Sequence, residues 1–236
     1  MVKKIRARKQ LRSLRDDSLI FSEEEHSYVK GDQVFTSATT WIKSFNPPFK
    51  GFDSALWAPR SAAKRGISTE EMLAEWKATG DAASAKGTKV HNEIERYILI
   101  GEPVTEPLAL FGLAHLAKRR GLPHPEVRIY SEKLGIAGTI DGVYAYANGN
   151  VDLIDWKTNS KLDGGYTFGL DDYKKLPDTK LMMYYLQLSL YGYILEKEYG
   201  RKVKSLKIVH LTTDGAKEIE VPYLKHMIEQ MIEAKK

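Results

Sequence analysis

The chain has 236 residues, 42% of them hydrophobic and 28% charged, a composition that suits a globular chain with a sizeable core and excludes a disordered one. It has no cysteine, which excludes disulfides, thiolate zinc sites and iron–sulfur clusters and fits a reducing cytoplasm; no apolar run is long enough to span a membrane, and the N-terminus lacks the apolar stretch of a secretory signal. The formal charge of +5 is local, because residues 1–15 hold seven of the 36 basic residues and none of the 31 acidic ones.

Taken in order, residues 1–17 read as a basic arm of the kind that suits nucleic acid, or as a solvated tail. Residues 18–36 alternate around Lys30-Gly31-Asp32 and predict a small hairpin. Ser37 or Thr39 is placed to cap a short helix, "TTWIKSF". The segment 45–60 mixes proline, glycine and aromatics and predicts irregular but packed chain. "STEE" at 68–71 is a capping box opening a helix over 69–79. Gly80 interrupts it, and a second helix runs from about 82 to 100, ending at Gly101. A shorter helix, 107–120, stops at Gly121. Three strands follow at 126–132, 134–146 and 151–157. Then come a polar, glycine-rich loop (159–178), a strong helix (179–199), a hairpin of 203–213 and 216–221 across Asp214-Gly215, and a last helix over 223–235. This order predicts an α/β or α+β core with a mixed sheet over 81–236, and an N-terminal hairpin and helical elaboration over 18–80.

Within the strand "NVDLIDWKT", Asp155 and Lys157 interrupt an apolar run, and the preceding strand carries Asp141 in "GTIDGV". A two-residue turn at Asn148-Gly149 sets Asp141 opposite Trp156. A three-residue turn, Ala147-Asn148-Gly149 with the glycine left-handed, sets Asp141 opposite Asp155 with Lys157 on the same face. Two half-buried carboxylates need a cation. Lys157 in a salt-bridge cluster supplies one, and a hard divalent metal with oxygen ligands is the other reading.

On the helix before these strands, Val90, Ile94, Tyr97 and Ile98 form an apolar stripe. His91 and Glu95 lie one turn apart at its edge, either as a simple pair or as a nitrogen ligand with the acceptor that orients it. The pattern is not His-Glu-x-x-His, which excludes the zinc-protease motif. Lys180, Tyr184, Gln187 and Tyr191 form one polar-aromatic stripe on the 179–199 helix, which suits packing or contact with phosphates and bases. Glu126 and Glu132 compete as a third acid, and both also read as edge-strand charges. Phe45, Phe49, Phe52, Trp57 and Trp76, with Lys43, Lys50, Arg60, Lys64 and Arg65 between them, suit a single strand or the core of a helical cap.

These residues carry a family resemblance. "GTIDGV … DLIDWKT" resembles the Asp … Asp-x-Lys signature of PD-(D/E)XK nucleases. "KGTKVHNEIE" (86–95) resembles the helical histidine motif of their RecB-like branch, and "QLSLY" (187–191) matches that branch's Gln-x-x-x-Tyr helix. The three occur in family order over about half the chain. "HSYVKGDQVFTSATTWI" is similar to phage and mitochondrial single-strand exonucleases of the branch. The resemblance implies a restriction-endonuclease-like α/β fold and Mg²⁺- or Mn²⁺-dependent hydrolysis of DNA. An exonuclease of phage or bacterial recombination or repair is favoured, working in the cytoplasm beside a single-strand-binding or annealing protein. It implies one or two metal ions held by His91, Asp141, Asp155 and the Trp156 carbonyl, with Glu126 helping and Glu95 behind His91. Lys157 would act on the attacking water, and Gln187, Tyr191, Tyr184 and Lys180 on DNA. The absence of cysteine departs from the branch's iron–sulfur members. The rivals are an endonuclease of the same fold, a DNA-binding protein without catalysis, and a sugar hydrolase using Asp141 and Asp155 as acid and base. The last leaves Lys157 and the Gln187/Tyr191 stripe without a role.

Overall fold

The computed structural model describes residues 13–14, 16–22, 25, 27–45, 54–159, 162 and 180–235. Strands β1 (Ile20–Ser22), β2 (Ser27–Lys30) and β3 (Gln33–Ser37) form a meander. Lys30 faces Gln33 across a Gly31-Asp32 turn in which Gly31 takes φ +57°, a conformation that glycine adopts at no steric cost. The Ser37 hydroxyl accepts from the Thr40 N–H, so β3 passes directly into helix α1 (Ala38–Lys43). Helices α2 (Ser54–Arg65), α3 (Thr69–Ile100) and α4 (Pro107–Leu116) follow. Then come strands β4 (Leu122–Ser131), β5 (Ile136–Ala145) and β6 (Asn150–Lys157), helix α5 (Lys180–Glu198), strands β7 (Lys202–Thr212) and β8 (Gly215–Val221), and helix α6 (Lys225–Glu233). None of the described helices is long and apolar enough to cross a membrane.

The eight strands form one sheet in the order β1-β2-β3-β5-β6-β7-β8, with β4 on the far edge of β5. Only β3·β5 and β6·β7 pair in parallel. The result is a mixed α/β fold whose mostly antiparallel sheet is flanked by helices. On one face α1, α5 and α6 pack on Ile136, Ile140, Val151 and Leu153. On the other, α3 and α4 bring Val90, Ile94, Leu108 and Leu116 against Ile154, Trp156, Val209 and Leu211. Burial on both faces explains why β6 reads as a near-continuous apolar run.

The β5–β6 turn follows the three-residue reading. Gly149 takes φ +84°, its N–H donates to the Tyr146 carbonyl at 2.9 Å, and Gly142 pairs with Ile154.

Other elements differ from expectation. The capping box of Ser68 and Glu71 opens a single 32-residue helix, α3, that runs through Gly80 and ends at left-handed Gly101. The boundary expected at 80/81 therefore falls inside one helix. A glycine costs about 1 kcal/mol in a helix. Here no competing structure collects on that cost, and Lys77 and Asp81 bridge the position at 2.6 Å. Residues 54–60, expected to be irregular, begin α2, which accommodates Pro59 and packs on α3 through Ala58, Ala62 and Met72. The N-terminal hairpin, expected in an elaboration, joins the main sheet through Thr36–Ile136 and Ser37–Ala137. The helix after Pro107 ends at Leu116 rather than near 120. Thr212 faces Gly215, so the last hairpin turns on Thr213-Asp214. Most of the expected basic arm and of the 159–178 loop lies outside the described residues.

Two irregularities in β5 position the site. First, Ile136, Ile140 and Val143 join one core while Tyr144 joins the other, so the strand's alternation slips by one residue between Ile140 and Val143. The facing residue of β4, between the pairs Pro125–Gly142 and Val127–Ile140, is Glu126. Glu126 has φ +46°, the one positive φ of a non-glycine residue among those described. Second, on one edge β5 pairs with β3 only at 136–137 and with β6 only at 142–145. Between them the strands part, and Asp141 sits at that opening.

Candidate metal centre

Four chain segments converge at the opening. Asp141 turns its carboxylate into the missing ladder, where Oδ2 accepts the Trp156 N–H at 2.8 Å. Glu126 reaches in from β4. From α3, His91 Nδ1 lies 3.7 Å from Asp141 Oδ2 and 3.8 Å from Glu126 Oε1, while Nε2 lies 3.2 Å from the Trp156 carbonyl oxygen. One ligand atom each from His91, Glu126 and Asp141 fits within 4.8 Å of the others. The helix comes this close because Val90 and Ile94 are buried against the sheet and Gly87 carries no side chain. A Cβ on Gly87 would stand 3.3 Å from Thr158 Oγ1.

Asp155 and Lys157 lie alongside. Their ion pair measures 2.6 Å, Asp155 is buried, and the Lys157 ammonium stands 4.5 Å from the centre of the Tyr184 ring. Ile154 and Trp156 point to the opposite core and hold the strand in place.

The electrostatics describe a site short of positive charge. Burial opposes a charge on His91, but the carboxylates of Asp141 and then Glu126 outweigh it and push the imidazole up to about 9. Burial raises Asp155 to about 6 in spite of Lys157, and the Asp141 charge adds to the rise. Asp141 is also raised, by burial first and by Glu126 in addition. Burial works to lower Lys157, yet Asp155 and Asp141 hold it above the ordinary lysine range. Three carboxylates thus face one ammonium and one imidazole. One nitrogen, two carboxylates and a carbonyl are a donor set suited to a hard divalent cation such as Mg²⁺ or Mn²⁺.

The cluster of three overlaps the expected ligand set. Glu126 stands in the cluster, whereas Asp155 is engaged with Lys157 and does not join the group of three. Glu132 lies in the turn after β4, so the choice between the two acids falls to Glu126. Glu95 is not the partner of His91, because both imidazole nitrogens face β4, β5 and β6. Instead it lines the cleft beside the cluster. On α5, Tyr191 is 4% exposed and packed in the core, so it offers no surface for the DNA contact expected of it. Its hydroxyl accepts a hydrogen bond from the half-buried Gln187 at 2.9 Å, and the tyrosine thereby positions that amide. Tyr184 covers Lys157, and Lys180 is exposed at the start of α5.

Of the N-terminal aromatics, Phe45 packs edge-on against Trp41 and Trp76 packs on the α2–α3 cluster. Arg65 is paired with Glu75 at 2.5 Å, and Trp57 is exposed with Arg60 above its ring. Phe49, Lys50 and Phe52 lie outside the described residues.

A cleft of about 390 Å³ adjoins the cluster, with Phe21, Asn92, Arg128 and Thr139 among its walls. Sequence reading passes over these four, since only the β1–β3 meander and the β4–β5 pairing bring them together. A larger groove of about 770 Å³ runs along α3 near Lys89 and Thr105 and holds none of the cluster.

No family model matches the chain. No curated protein matches it. Among solved structures it is similar to the crystal structure of SSO0001, at 16% identity and a TM-score of 0.34, over 88% of this chain and 79% of that one.

Proposed function

We propose that this chain is a divalent-metal-dependent deoxyribonuclease of the PD-(D/E)XK superfamily, RecB-like branch, with exonuclease action favoured. The observation that carries the reading is the meeting of His91, Glu126 and Asp141 within 4.8 Å, next to the Asp155–Lys157 pair. The restriction-endonuclease-like core belongs to the same proposal. Its support is the order antiparallel β5–β6 followed by parallel β7, with the acids at the opening of the sheet.

A Mg²⁺ or Mn²⁺ ion held by His91, Glu126, Asp141 and the Trp156 carbonyl would lower the pKa of a bound water and polarise the phosphate. The chain's own groups do the rest. Lys157 stays protonated at neutral pH, so it acts as a donor and not as a base. It orients the attacking water and offsets negative charge growing on the phosphoryl oxygens. Asp155 holds that ammonium in place, and the Tyr184 ring limits its other positions. Tyr191 anchors Gln187 at the edge of the site, where an amide suits a phosphate oxygen.

The test uses end-labelled single- and double-stranded DNA and closed circles, with Mg²⁺ or with EDTA. Degradation of linear DNA with Mg²⁺ is expected, with none in EDTA, none by Asp141→Asn or Lys157→Met, and intact circles. Undiminished cleavage by both variants refutes the site, and metal-independent binding without degradation refutes the enzyme. Cut circles would move the assignment to an endonuclease.

A further inference from the structure

Helix α4 has a composition that its position does not explain. It lies on the outside of the fold, yet Pro107–Leu116 contains no Asp, Glu, Lys or Arg. A surface helix ordinarily turns a charged face to water. Here Leu108, Gly112 and Leu116 are buried, and His115 reaches Glu218 at 2.8 Å. The outward side repeats Pro107, Leu110, Phe111, Ala114 and the cap residue Ala117 at intervals of three and four, all of them exposed. Leu110 is 51% and Phe111 36% exposed. An apolar stripe with this spacing is the surface that a second helix packs against. Charge is confined to the two ends of α4 and differs in sign. At its start Glu93, Glu102 and Glu106 meet Lys89 and Arg96, three acids against two bases. Glu93 also accepts the Thr105 and Glu106 N–H groups, which fixes this end. Beyond its other end Arg119 pairs with Asp152 and Glu218. Its neighbours Lys118 and Arg120 are exposed and have no ion pair among the described residues.

We propose that α4 is a self-association surface, through which two copies of this chain pair about a two-fold axis with their α4 helices antiparallel. A partner of one sign of charge would match only one end of α4, whereas a reversed second copy matches both. The acidic start of each helix then meets Lys118 and Arg120 of the other, and the helix dipoles oppose. Phe111 of each copy lies over Ala114 of the other, a large residue against a small one that lets the helices approach. No residue of α4 lines the cleft beside the metal centre, so the pairing leaves that cleft open. A helix of 10 residues is roughly 15 Å long. Its face is smaller than the roughly 800 Å² a side of a standard interface, which places the dissociation constant on the order of 10–100 µM.

The test is sedimentation equilibrium of the full chain at low salt, from about 5 to about 300 µM, a range that brackets this constant. The wild-type mass is expected to rise from 26.8 kDa towards twice that value. Leu110→Ser with Phe111→Ser stays monomeric throughout and keeps the wild-type urea midpoint, because both side chains are exposed. Lys118→Glu with Arg120→Glu makes both ends of α4 acidic, and Glu102→Lys with Glu106→Lys makes both basic. Each of these variants alone is expected to self-associate at least about tenfold more weakly than the wild type, since like charges then meet at both ends. Mixed in equal amounts, they pair again, an effect that neither misfolding nor a contact elsewhere on the chain produces. A wild-type mass that stays at 26.8 kDa across the range overturns the proposal. So does a wild-type dimer that the Leu110/Phe111 variant retains, or a mixture of the two charge variants no heavier than its parts.

Discussion

Gly138 is the position at which a single methyl group tests the packing behind the site. A Cβ built there stands 2.4 Å from Tyr191 Cε1 and 2.8 Å from both Cζ and the hydroxyl oxygen. The ring has nowhere to go, since it is buried in the α5 core with its hydroxyl held by Gln187. Overpacking of this kind costs about 1–3 kcal/mol, and contact with an immobile ring places Gly138→Ala at the upper end. Restricting the unfolded chain returns about 0.5–1 kcal/mol, for a net loss of about 2 kcal/mol. With a urea m-value of about 3 kcal/mol/M, the unfolding midpoint drops by about 0.7 M. Tyr191→Leu is destabilising by itself, because it empties a filled space. In that background, however, Gly138→Ala loses nearly all its cost, a coupling of about 2 kcal/mol in the double-mutant cycle. A midpoint shift under about 0.2 M for Gly138→Ala alone, or the same loss in both backgrounds, refutes the argument.

Other perturbations probe the remaining claims. In EDTA the folded state holds His91 at about 9 against an ordinary value near 6.5, so its contribution is whole below pH 6.5 and is lost as pH rises towards 9. Unfolding free energies from urea titrations across that range should fall by on the order of 2 kcal/mol more for the wild type than for His91→Gln, and parallel profiles would contradict the cluster's electrostatics. Since a cation must displace that proton, Mn²⁺ affinity measured by calorimetry rises with pH over the same window. Glu126→Gly should be more stable than Glu126→Ala by about 1 kcal/mol, because only glycine takes φ +46° without strain, while neither variant cleaves DNA. Equal stabilities would refute the strain. Gly80→Ala, with open space around the new methyl, should raise the melting temperature by about 2–4 °C if α3 is continuous. A lower melting temperature would mean that the helix breaks there.

What could be read from the sequence depended on how local its cause was. The β5–β6 turn was legible because a glycine at the third loop position has a direct conformational meaning, and it correctly set the strand register. Gly80 misled for a related reason. Glycine often punctuates a helix, but its cost of about 1 kcal/mol is small once a capped helix is anchored at both Met72 and Val90. Glu126 was named as a helper at the metal, but its place beside His91 and Asp141 was not legible, because strict alternation cannot show a phase slip in β5 or a left-handed residue in β4. Tyr191 belonged to a polar stripe by helical spacing. Its burial is set by Gly138 on a distant strand, which opens the gap that the ring fills.

The unbroken course of α3 has a mechanical consequence. Met72 holds its start to α2, and Val90 and Ile94 pin it to the sheet, while residues 77–86 between them are exposed. From Thr69 to Val90 the helix is a rod roughly 30 Å long. If it pivots about Val90, a swing of about 5° carries the α2 end through nearly 3 Å, whereas His91, one residue from the pivot, moves by little more than 0.1 Å. The rod thus acts as a lever with residue 91 near its fulcrum, and its outer end can move by ångströms while the backbone that carries the imidazole stays nearly still.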